Sequence, residues 1–535
     1  MPLRVFIPTA GLGSRLGDKT KFINKSLIEV GNKPAISFII NTFPDNTEFV
    51  VALGHKGNLV KEYLSLAYPK KKFFFKQINP YSGKNSGLGV TLLQCKKLLQ
   101  KPFVFISCDT IISQKIKNIN SNWIGYSHSK DLSQYRTLNI KKNNVSSFYE
   151  KLYNTKYKNA YIGLAGIKDY KIFWSELSKN KFKTKIQGEL VGLKAIMKKK
   201  LIKAKKFNWY DIGNLNSYEI AQKIFFDKKK PNILPKSNES IWFEDDFVIK
   251  FSNDQRFIYR RVKRSKIIKN YVPQILAYGK NMYKYNYVDG KVLSSILTID
   301  LFNRLLLRLK SFWTQKKLNE TQARIFNKKC YRFYFLKTQK RINLFYLNSK
   351  KTDEENYING VKIPKLSKLM KKINWSNFSK GLPGSFHGDL HFENIIYNKS
   401  KKKFTFLDWR QDFENNLKVG DIYYDLAKLM HGIIVSHKHV VNNNFTISWK
   451  KNYINFGISQ SKIYKESLQF YKNWIIKNGY NLSKVKILTS IIFLNIACLH
   501  HYPYSLFLFA LGKSMLFNEL VGNNRKNNKK LLLVN

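Results

Sequence analysis

The stretch Leu3-Arg4-Val5-Phe6-Ile7-Pro8-Thr9-Ala10-Gly11-Leu12-Gly13-Ser14-Arg15-Leu16 sets the fold class. Leu3–Ile7 reads as a short buried strand, and a glycine-rich turn follows it. Such a turn exposes backbone N–H groups that suit phosphate oxygens, and Gly11 and Gly13 put no Cβ in the way. The spacing departs from two commoner phosphate loops. A dinucleotide fingerprint needs a third glycine where Leu16 stands, and the Gly-to-Gly-Lys spacing of a P-loop is missing. Arg15 adds a fixed positive charge, better matched to a triphosphate than to a dinucleotide's pyrophosphate.

Downstream, short β-rich runs alternate with helical stretches. Expected strands are Glu48–Leu53, Phe73–Ile78, Phe103–Ser107 and Trp123–Ser127, and expected helices include Ala35–Thr42 and Gly87–Leu99. That rhythm predicts an α/β domain with a Rossmann-like, mostly parallel sheet. Leu138–Ile140 and Val145–Phe148, with Asn143-Asn144 between them, predict a hairpin. The polar stretch DKKKPNILPKSNES (227–240) carries Pro231 and Pro235 and reads as a linker. A β-rich stretch then runs to about Tyr287, and Leu301, Leu305 and Leu309 open a helical region at i+4 spacing. The expected organisation is a first domain over 1–229, a linker over 230–239, a second domain over 240–520 and a frayed tail over 521–535.

Composition bounds the classes. With 535 residues, 44% of them apolar, 39 Phe and 31 Tyr, the chain can bury full cores, which excludes a mainly disordered protein. The apolar runs Ile491–Cys498 and Tyr504–Leu511 are far too short to span a membrane, and Met1–Thr9 lacks the features of a signal peptide. Cys95, Cys108, Cys330 and Cys498 are scattered, as free thiols of a cytoplasmic protein would be. The net charge of +61 could mark a polyanion partner. The lysines spread along the whole chain with no basic stripe interleaved with aromatics, so no specific nucleic acid is expected, and a lysine-rich composition accounts for the charge.

Several residues after the glycine turn join it in one ordered series. They are Asn24-Lys25-Ser26-Leu27, Gly31-Asn32-Lys33-Pro34, Asn79-Pro80, Ser86-Gly87-Leu88, a strand ending at Ser107-Cys108-Asp109, Glu150-Lys151, Gly188-Glu189 and Trp209-Tyr210-Asp211-Ile212-Gly213. Over roughly the first 225 residues this series resembles the sugar-1-phosphate nucleotidyltransferase family, which includes phosphocholine cytidylyltransferases. Asn24 stands where that family has proline, and Asn32 interrupts its Gly-Lys-Pro. The resemblance implies transfer of a nucleotidyl group from an NTP, CTP for the phosphocholine branch, to a phosphorylated alcohol or a sugar phosphate. Gly11, Gly13, Arg15 and Gly87 would bind the nucleotide, Arg15 and Lys25 the phosphates, and Asp109 and Asp211 an Mg²⁺ ion. The chemistry asks for such groups: the attacking phosphate is already anionic, so the enzyme needs to hold two anions together and neutralise charge.

The second motif is Phe386-His387-Gly388-Asp389-Leu390-His391-Phe392-Glu393-Asn394-Ile395-Ile396, followed by the strand Phe404–Leu407 that ends at Asp408-Trp409. An asparagine five residues after an aspartate is the kinase catalytic-loop spacing. By kinase logic Asp389 takes the proton of an acceptor hydroxyl, while Asn394 and Asp408 hold Mg²⁺ against ATP. His-Gly-Asp, Leu-Asp-Trp and Gly420-Asp421-Ile422-Tyr423-Tyr424-Asp425-Leu426-Ala427-Lys428 together resemble the choline kinase and aminoglycoside phosphotransferase superfamily. That resemblance implies an α+β bilobal, protein-kinase-like second domain over roughly 240–515, with Lys250 on the nucleotide phosphates, Tyr285–Gly290 as the hinge, and structural roles for His387, Asp421 and Asp425. The pattern is incomplete: no glutamate lies between 251 and 300 to face Lys250, no glycine-rich loop precedes Lys250, and Asp254 is the one candidate substitute. His391 is assigned no role beyond exposure.

The fusion predicts a bifunctional enzyme that phosphorylates a small alcohol, choline or ethanolamine first, and then activates the product for decoration of a surface polysaccharide or lipid. A sugar kinase making an NDP-sugar, a degenerate non-catalytic kinase half, and an electrostatic binding protein are the alternatives. Trp449, Tyr453, Tyr471 and Trp474 are the candidates for an aromatic cage around choline, with core packing the commoner use of any one of them.

Overall fold

The computed structural model describes residues 2–129, 132–151, 158–226, 238–436, 442 and 444–521. Contacts divide the chain into two compact units: Met1–Ile258 with Ile275–Tyr287, and Tyr259–Gln274 with Val288–Asn535. Among the described residues no helix is long and apolar enough to cross a membrane.

The first unit is built on a nine-stranded sheet. Lys72–Gln77, Glu48–Leu53, Arg4–Pro8 and Phe103–Ile106 lie side by side in that order, all parallel. The helices Ala35–Asn41, Gly57–Ala67 and Leu88–Cys95 make the crossovers between them. Both faces of a parallel sheet are covered, so its inner strands are largely apolar, and Glu48–Leu53 and Phe103–Ile106 are buried at every position. Val5, Ile7, Val51 and Val104 pack on one side with Ile36, Ile39 and Val60. Phe6, Val50, Phe103 and Phe105 pack on the other with Leu92, Phe173 and Trp174.

The expectation of a mostly parallel sheet holds for these four strands; beyond them in this sheet only Lys203–Lys206 against Trp123–His128 pairs parallel among the described residues. Asn159–Ile167 runs antiparallel to both Phe103–Ile106 and Trp123–His128. Thr137–Lys141 and Asn144–Tyr149 form the expected hairpin, turned by Lys142 and Asn143 at φ 46° and 61°. Hairpin turns need only a few residues, whereas a parallel return needs a crossover of a dozen or more, so the helix-poor stretch 123–167 pairs antiparallel. The sheet is mixed.

The expected boundary also moves. Residues 230–237 of the expected linker lie outside the described residues. The next segment, expected to open the second domain, forms an antiparallel sheet of Glu239–Phe243, Phe247–Ser252, Met282–Asn286 and Ile275–Tyr278 that belongs to the first unit. Trp242, Ile249, Phe251 and Met282 share the buried cluster of Val5 and Ile7. Tyr63 of the helix Gly57–Ala67 meets Trp242 edge-on at 5.1 Å and donates to Glu244 at 2.8 Å, while the Asn281 N–H donates to Glu62 at 2.8 Å.

The second unit is mainly helical around a small three-stranded sheet of Lys291–Val292, Ile395–Asn398 and Lys403–Phe406. Leu301, Leu305 and Leu309 are all buried on one face of the helix Ile299–Phe312, capped by Thr298, as their spacing predicts. Ile491 and Phe507 lie in Leu482–Ala497 and Tyr504–Val521, two helices apolar nearly all round because both are packed inside the unit. Of the tail expected over 521–535, Val521 ends the last helix and 522–535 lie outside the described residues.

Candidate active sites

In an open parallel sheet, ligands bind outside the carboxyl ends of the strands where strand order reverses. Here that point lies between Arg4–Pro8 and Phe103–Ile106. The glycine turn leaves the first of these strands and Asp109 follows the second. Gly13 adopts φ 72°, a conformation costly for other residues, and a Cβ there would come 3.0 Å from Lys25 Cβ. A 3-10 helix, Ser14–Thr20, continues the turn.

Lys25 is delivered by Asn24, the residue in place of the expected proline. The buried Asn24 amide donates to Thr9 O at 2.9 Å and His55 O at 2.6 Å, and its oxygen accepts from Ser26 N at 2.9 Å. An amide bonded on both sides fixes the loop as firmly as a proline would. The Lys25 ammonium is ion-paired with Asp109. Burial pushes the Asp109 carboxyl up, but Lys25 outweighs it and leaves the group below its ordinary value; Lys25 is correspondingly raised against its own burial.

Asp211 reaches the same place by strand pairing. Trp209–Asp211 runs antiparallel to Thr110–Ile112, with Asp211 opposite Thr110. A Cβ added to Gly213 would meet Asp211 Oδ1 at 3.0 Å and Asp109 Oδ2 at 3.2 Å, so the two carboxylates converge on one point. Burial, and then the like charge of Asp109, raise the Asp211 carboxyl. Paired hard oxygen donors carrying surplus negative charge fit Mg²⁺. Tyr135, which the sequence reading passed over, holds Asp211 Oδ2 at 2.8 Å and packs edge-on against Trp209 at 4.9 Å. Burial lowers Lys151, and so does the Arg15 charge, while Asp109 and Asp211 oppose both; all four therefore share one field. Gly87, at φ 147°, precedes the helix Leu88–Cys95, and the turn Asn79–Gly87 leads into it. Glu189 is buried beside Tyr161, and burial raises its carboxyl.

In the second unit the Phe386–Ile396 motif forms a loop tied down at almost every residue. Buried His387 donates from Nε2 to Leu407 O at 2.9 Å and accepts the Asp389 N–H at Nδ1, 3.2 Å away. Burial first, and then the charges of Arg264 and His391, push its pKa down to about 3 against the opposing pull of Asp389, so the ring is neutral. Asp425 accepts the N–H groups of His387 at 2.5 Å and Gly388 at 2.6 Å, and Trp313 Nε1 at 3.0 Å. Asp421 caps the helix Ile422–Ile434 and accepts from Tyr334 at 2.7 Å. Both aspartates therefore have the structural placement expected of them.

Asn394 donates to Asp389 O at 2.9 Å and to His391 Nε2 at 3.0 Å, and His391 Nδ1 donates to Glu393 at 3.0 Å. His391 is thus a half-buried link in the loop, not the exposed residue expected. Lys428, unassigned from sequence, sits 2.8 Å from Asp389 Oδ1. Burial raises Asp389, and Lys428 with His391 more than reverses it, leaving the carboxyl well below its usual range.

The helix Gln255–Ile267 carries arginines toward the second motif. Arg261 is ion-paired with Asp408, and Arg260 with Asp412 at 2.8 Å. Buried Arg264 donates to the carbonyls of Phe386, His387 and Arg410. Its guanidinium also lies 3.7 Å from the centre of the Phe386 ring. The signal was present in the run Arg260-Arg261-Val262-Lys263-Arg264, whose arginines at i, i+1 and i+4 share a helix face. Asp254 does not replace the glutamate: it accepts from Phe257 N at 3.1 Å at the start of this helix. Lys250 is buried in the first unit's four-stranded sheet, opposite Ile241 and Tyr283, while Asp389, Asn394 and Asp408 fall in the second unit.

The four candidate cage aromatics pack separately, as the core-packing alternative has it. Tyr471 and Trp474 stack on each other in the core, Trp449 stacks with Phe345, and Tyr453 lies on Tyr357.

No protein-family model and no curated protein matches this chain. Among solved structures it is similar to the CTP:phosphocholine cytidylyltransferase from Streptococcus pneumoniae, at 17% identity over 42% of this chain and 99% of that one, with a TM-score of 0.36. It is also similar to the UDP-glucose pyrophosphorylase from Acinetobacter baumannii, at 15% identity over 42% and 93%, with a TM-score of 0.35. A third similar structure is the inositol-1-phosphate CTP transferase from T. maritima, at 14% identity over 42% and 96%, with a TM-score of 0.34.

Proposed function

We propose that the first unit transfers a nucleotidyl group from an NTP, CTP in the first instance, to a phosphomonoester, with release of pyrophosphate. The observation that carries this is the convergence of Asp109 and Asp211 on one point beside Lys25, at the mouth of the glycine turn. Asp109 and Asp211 would hold Mg²⁺, which when bound neutralises charge on the α-phosphate and the acceptor phosphate. Gly11, Gly13, Gly87 and Arg15 bind the nucleotide. Lys25, beside Asp109, binds a phosphate oxygen. An anionic nucleophile needs no general base, and the role of the protein is to align two anions and keep them in place. The test is Asp109→Ala, which should abolish pyrophosphate release from CTP while leaving the fold intact. Undiminished release in a folded variant would remove this site.

The second reading concerns the other unit, and Asp389 with Asn394 and Asp408 favours it. There Asp389 would accept the proton of a small alcohol while Asn394 and Asp408 would hold Mg²⁺ for ATP. A kinase makes a phosphomonoester and this transferase consumes one, so the fusion supports sequential chemistry on one alcohol, of which choline, ethanolamine and a sugar are candidates. A cytoplasmic location, where ATP and CTP are supplied, is the setting that suits this reading. The experiment is to incubate the full chain with ATP, CTP and a panel of alcohols and identify products by mass spectrometry. Pyrophosphate should appear only when the right alcohol is present. Asp389→Asn should block it, and the phosphorylated alcohol should restore it. A transferase that accepts only phosphates the kinase half cannot make would refute the coupling.

A further inference from the structure

The alcohol offered to Asp389 meets an unusual surround. Lys337 and Arg410 both lie over the Phe333 ring, at 4.1 and 4.8 Å from its centre. Tyr424 packs edge-on against the same ring at 4.8 Å, and one helical turn further along the same helix comes Lys428, bonded to Asp389 Oδ1. Arg410 is against the catalytic loop itself: its N–H donates to His387 O at 2.9 Å, and a Cβ on Gly388 would strike its side chain at 2.5 Å. Arg341 follows Lys337 by one turn, with Nη1 at 3.7 Å from Cys498.

These cations crowd one another. Burial first, and then the charges of Arg410, Arg341 and Lys428, push Lys337 well below its ordinary value, with Glu414 opposing. Three of the neighbouring carboxylates are engaged elsewhere: Asp412 with Arg260, Asp408 with Arg261, and Asp425 with backbone N–H groups; Glu414 acts on Lys337 through its charge, without an ion pair. Among the described residues, no carboxylate pairs with Lys337, Arg341 or Arg410. The cluster is also set off from the metal side of the loop. Asn394 approaches Asp389 Oδ2, at 3.5 Å, whereas Lys428 takes Oδ1.

We propose that the acceptor of this half is an alcohol bearing an oxyanion, a carboxylate or phosphate, which Lys337, Arg341 and Arg410 hold while its hydroxyl faces Asp389. The inference rests on the kinase reading of the second unit. The hydroxyl oxygen attacks the γ-phosphorus of ATP, the bond from that phosphorus to the bridging oxygen breaks, ADP leaves, and the hydroxyl proton passes to Asp389. A quaternary ammonium would be repelled by the same side chains, and no aromatic cage is assembled from Trp449, Tyr453, Tyr471 and Trp474 to receive one.

The experiment follows ADP release by the full chain with ATP and three sets of alcohols. These are glycerate, gluconate and glycerol phosphate; glycerol and glucose; and choline and ethanolamine. An anionic alcohol should exceed every neutral or cationic one by at least about tenfold in kcat/KM. Lys337→Gln and Arg341→Gln should each raise its KM about tenfold with kcat nearly unchanged, the pattern of lost ground-state binding. Circular dichroism verifies folding, and Arg341→Lys, which keeps the charge, should recover part of the loss. Turnover of choline or glycerol, unaffected by Lys337→Gln and Arg341→Gln but abolished by Asp389→Asn, overturns the inference and leaves the kinase reading standing. Absence of Asp389-dependent ADP release with every alcohol overturns the kinase reading, and the inference with it.

Discussion

Replacing Lys25 by methionine isolates the electrostatics of the first site. The ammonium is ion-paired with Asp109, with side chains only 14% and 20% exposed, and Asp211 adds a second carboxylate at the same point. Removing one partner of a buried pair usually costs about 3–5 kcal/mol, and residual solvent access favours the lower end, about 3 kcal/mol. For a unit of this size that lowers Tm by roughly 6–12 °C. The sign with pH follows from Asp109. Its carboxyl is held below the ordinary value, so its contribution is present above the unfolded pKa and lost as pH falls through the folded one. The deficit of Lys25→Met should therefore be full at neutral pH and shrink below about pH 4. Mg²⁺ provides an internal check. On the proposed reading, Mg²⁺ would compete with Lys25 for Asp109 in the native chain and would meet two carboxylates without that lysine in the variant. Differential scanning fluorimetry with and without millimolar Mg²⁺ should show a larger Mg²⁺-dependent rise in Tm for the variant. An unchanged Tm at neutral pH, or an equal Mg²⁺ response in both proteins, would refute this account of the site.

Three other outcomes are expected. Asp389→Asn keeps the shape of the loop but loses the proton acceptor, so ADP release should fall roughly a hundredfold or more while ATP affinity, measured by calorimetry, barely changes. Arg264→Met strips buried donors from the carbonyls of Phe386, His387 and Arg410, and should cost about 2–4 kcal/mol in urea unfolding of the second unit. The last concerns acid. Burial raises Asp425 to about 6, which favours folding as pH falls through that value, and lowers His387 to about 3, which disfavours folding as pH falls below the unfolded value near 6.5. The two oppose each other between about pH 4 and 6, so Asp425→Asn should uncover the His387 slope, about 1.4 kcal/mol per pH unit, in unfolding curves at pH 6.5 and 4.5.

Local pattern alone determined much of this protein. The strand before the glycine turn, Glu48–Leu53, the hairpin turned at Asn143, and the helix carrying Leu301, Leu305 and Leu309 all follow from period, turn chemistry and capping, which are short-range. Asp109 and Asp211 could be singled out as candidates by resemblance, and Asp389 with Asn394 by their spacing, because such signals run along the chain. What the sequence could not hold is partnership across long separations. Asp109 meets Asp211 only because Trp209–Asp211 pairs with Thr110–Ile112. Lys428 reaches Asp389 only because the helix Ile422–Ile434 packs against the His387–Asn394 loop. The segment from 239 to 252 reads as the start of a new domain, yet Trp242 and Phe251 are buried in the core of the first. A one-dimensional pattern specifies which face of an element is apolar, and only tertiary packing decides which other element that face is buried against. The same holds for charge: lysines and arginines spread evenly along the sequence become a concentrated field around Asp389 once Phe333 gathers Lys337 and Arg410 onto one ring.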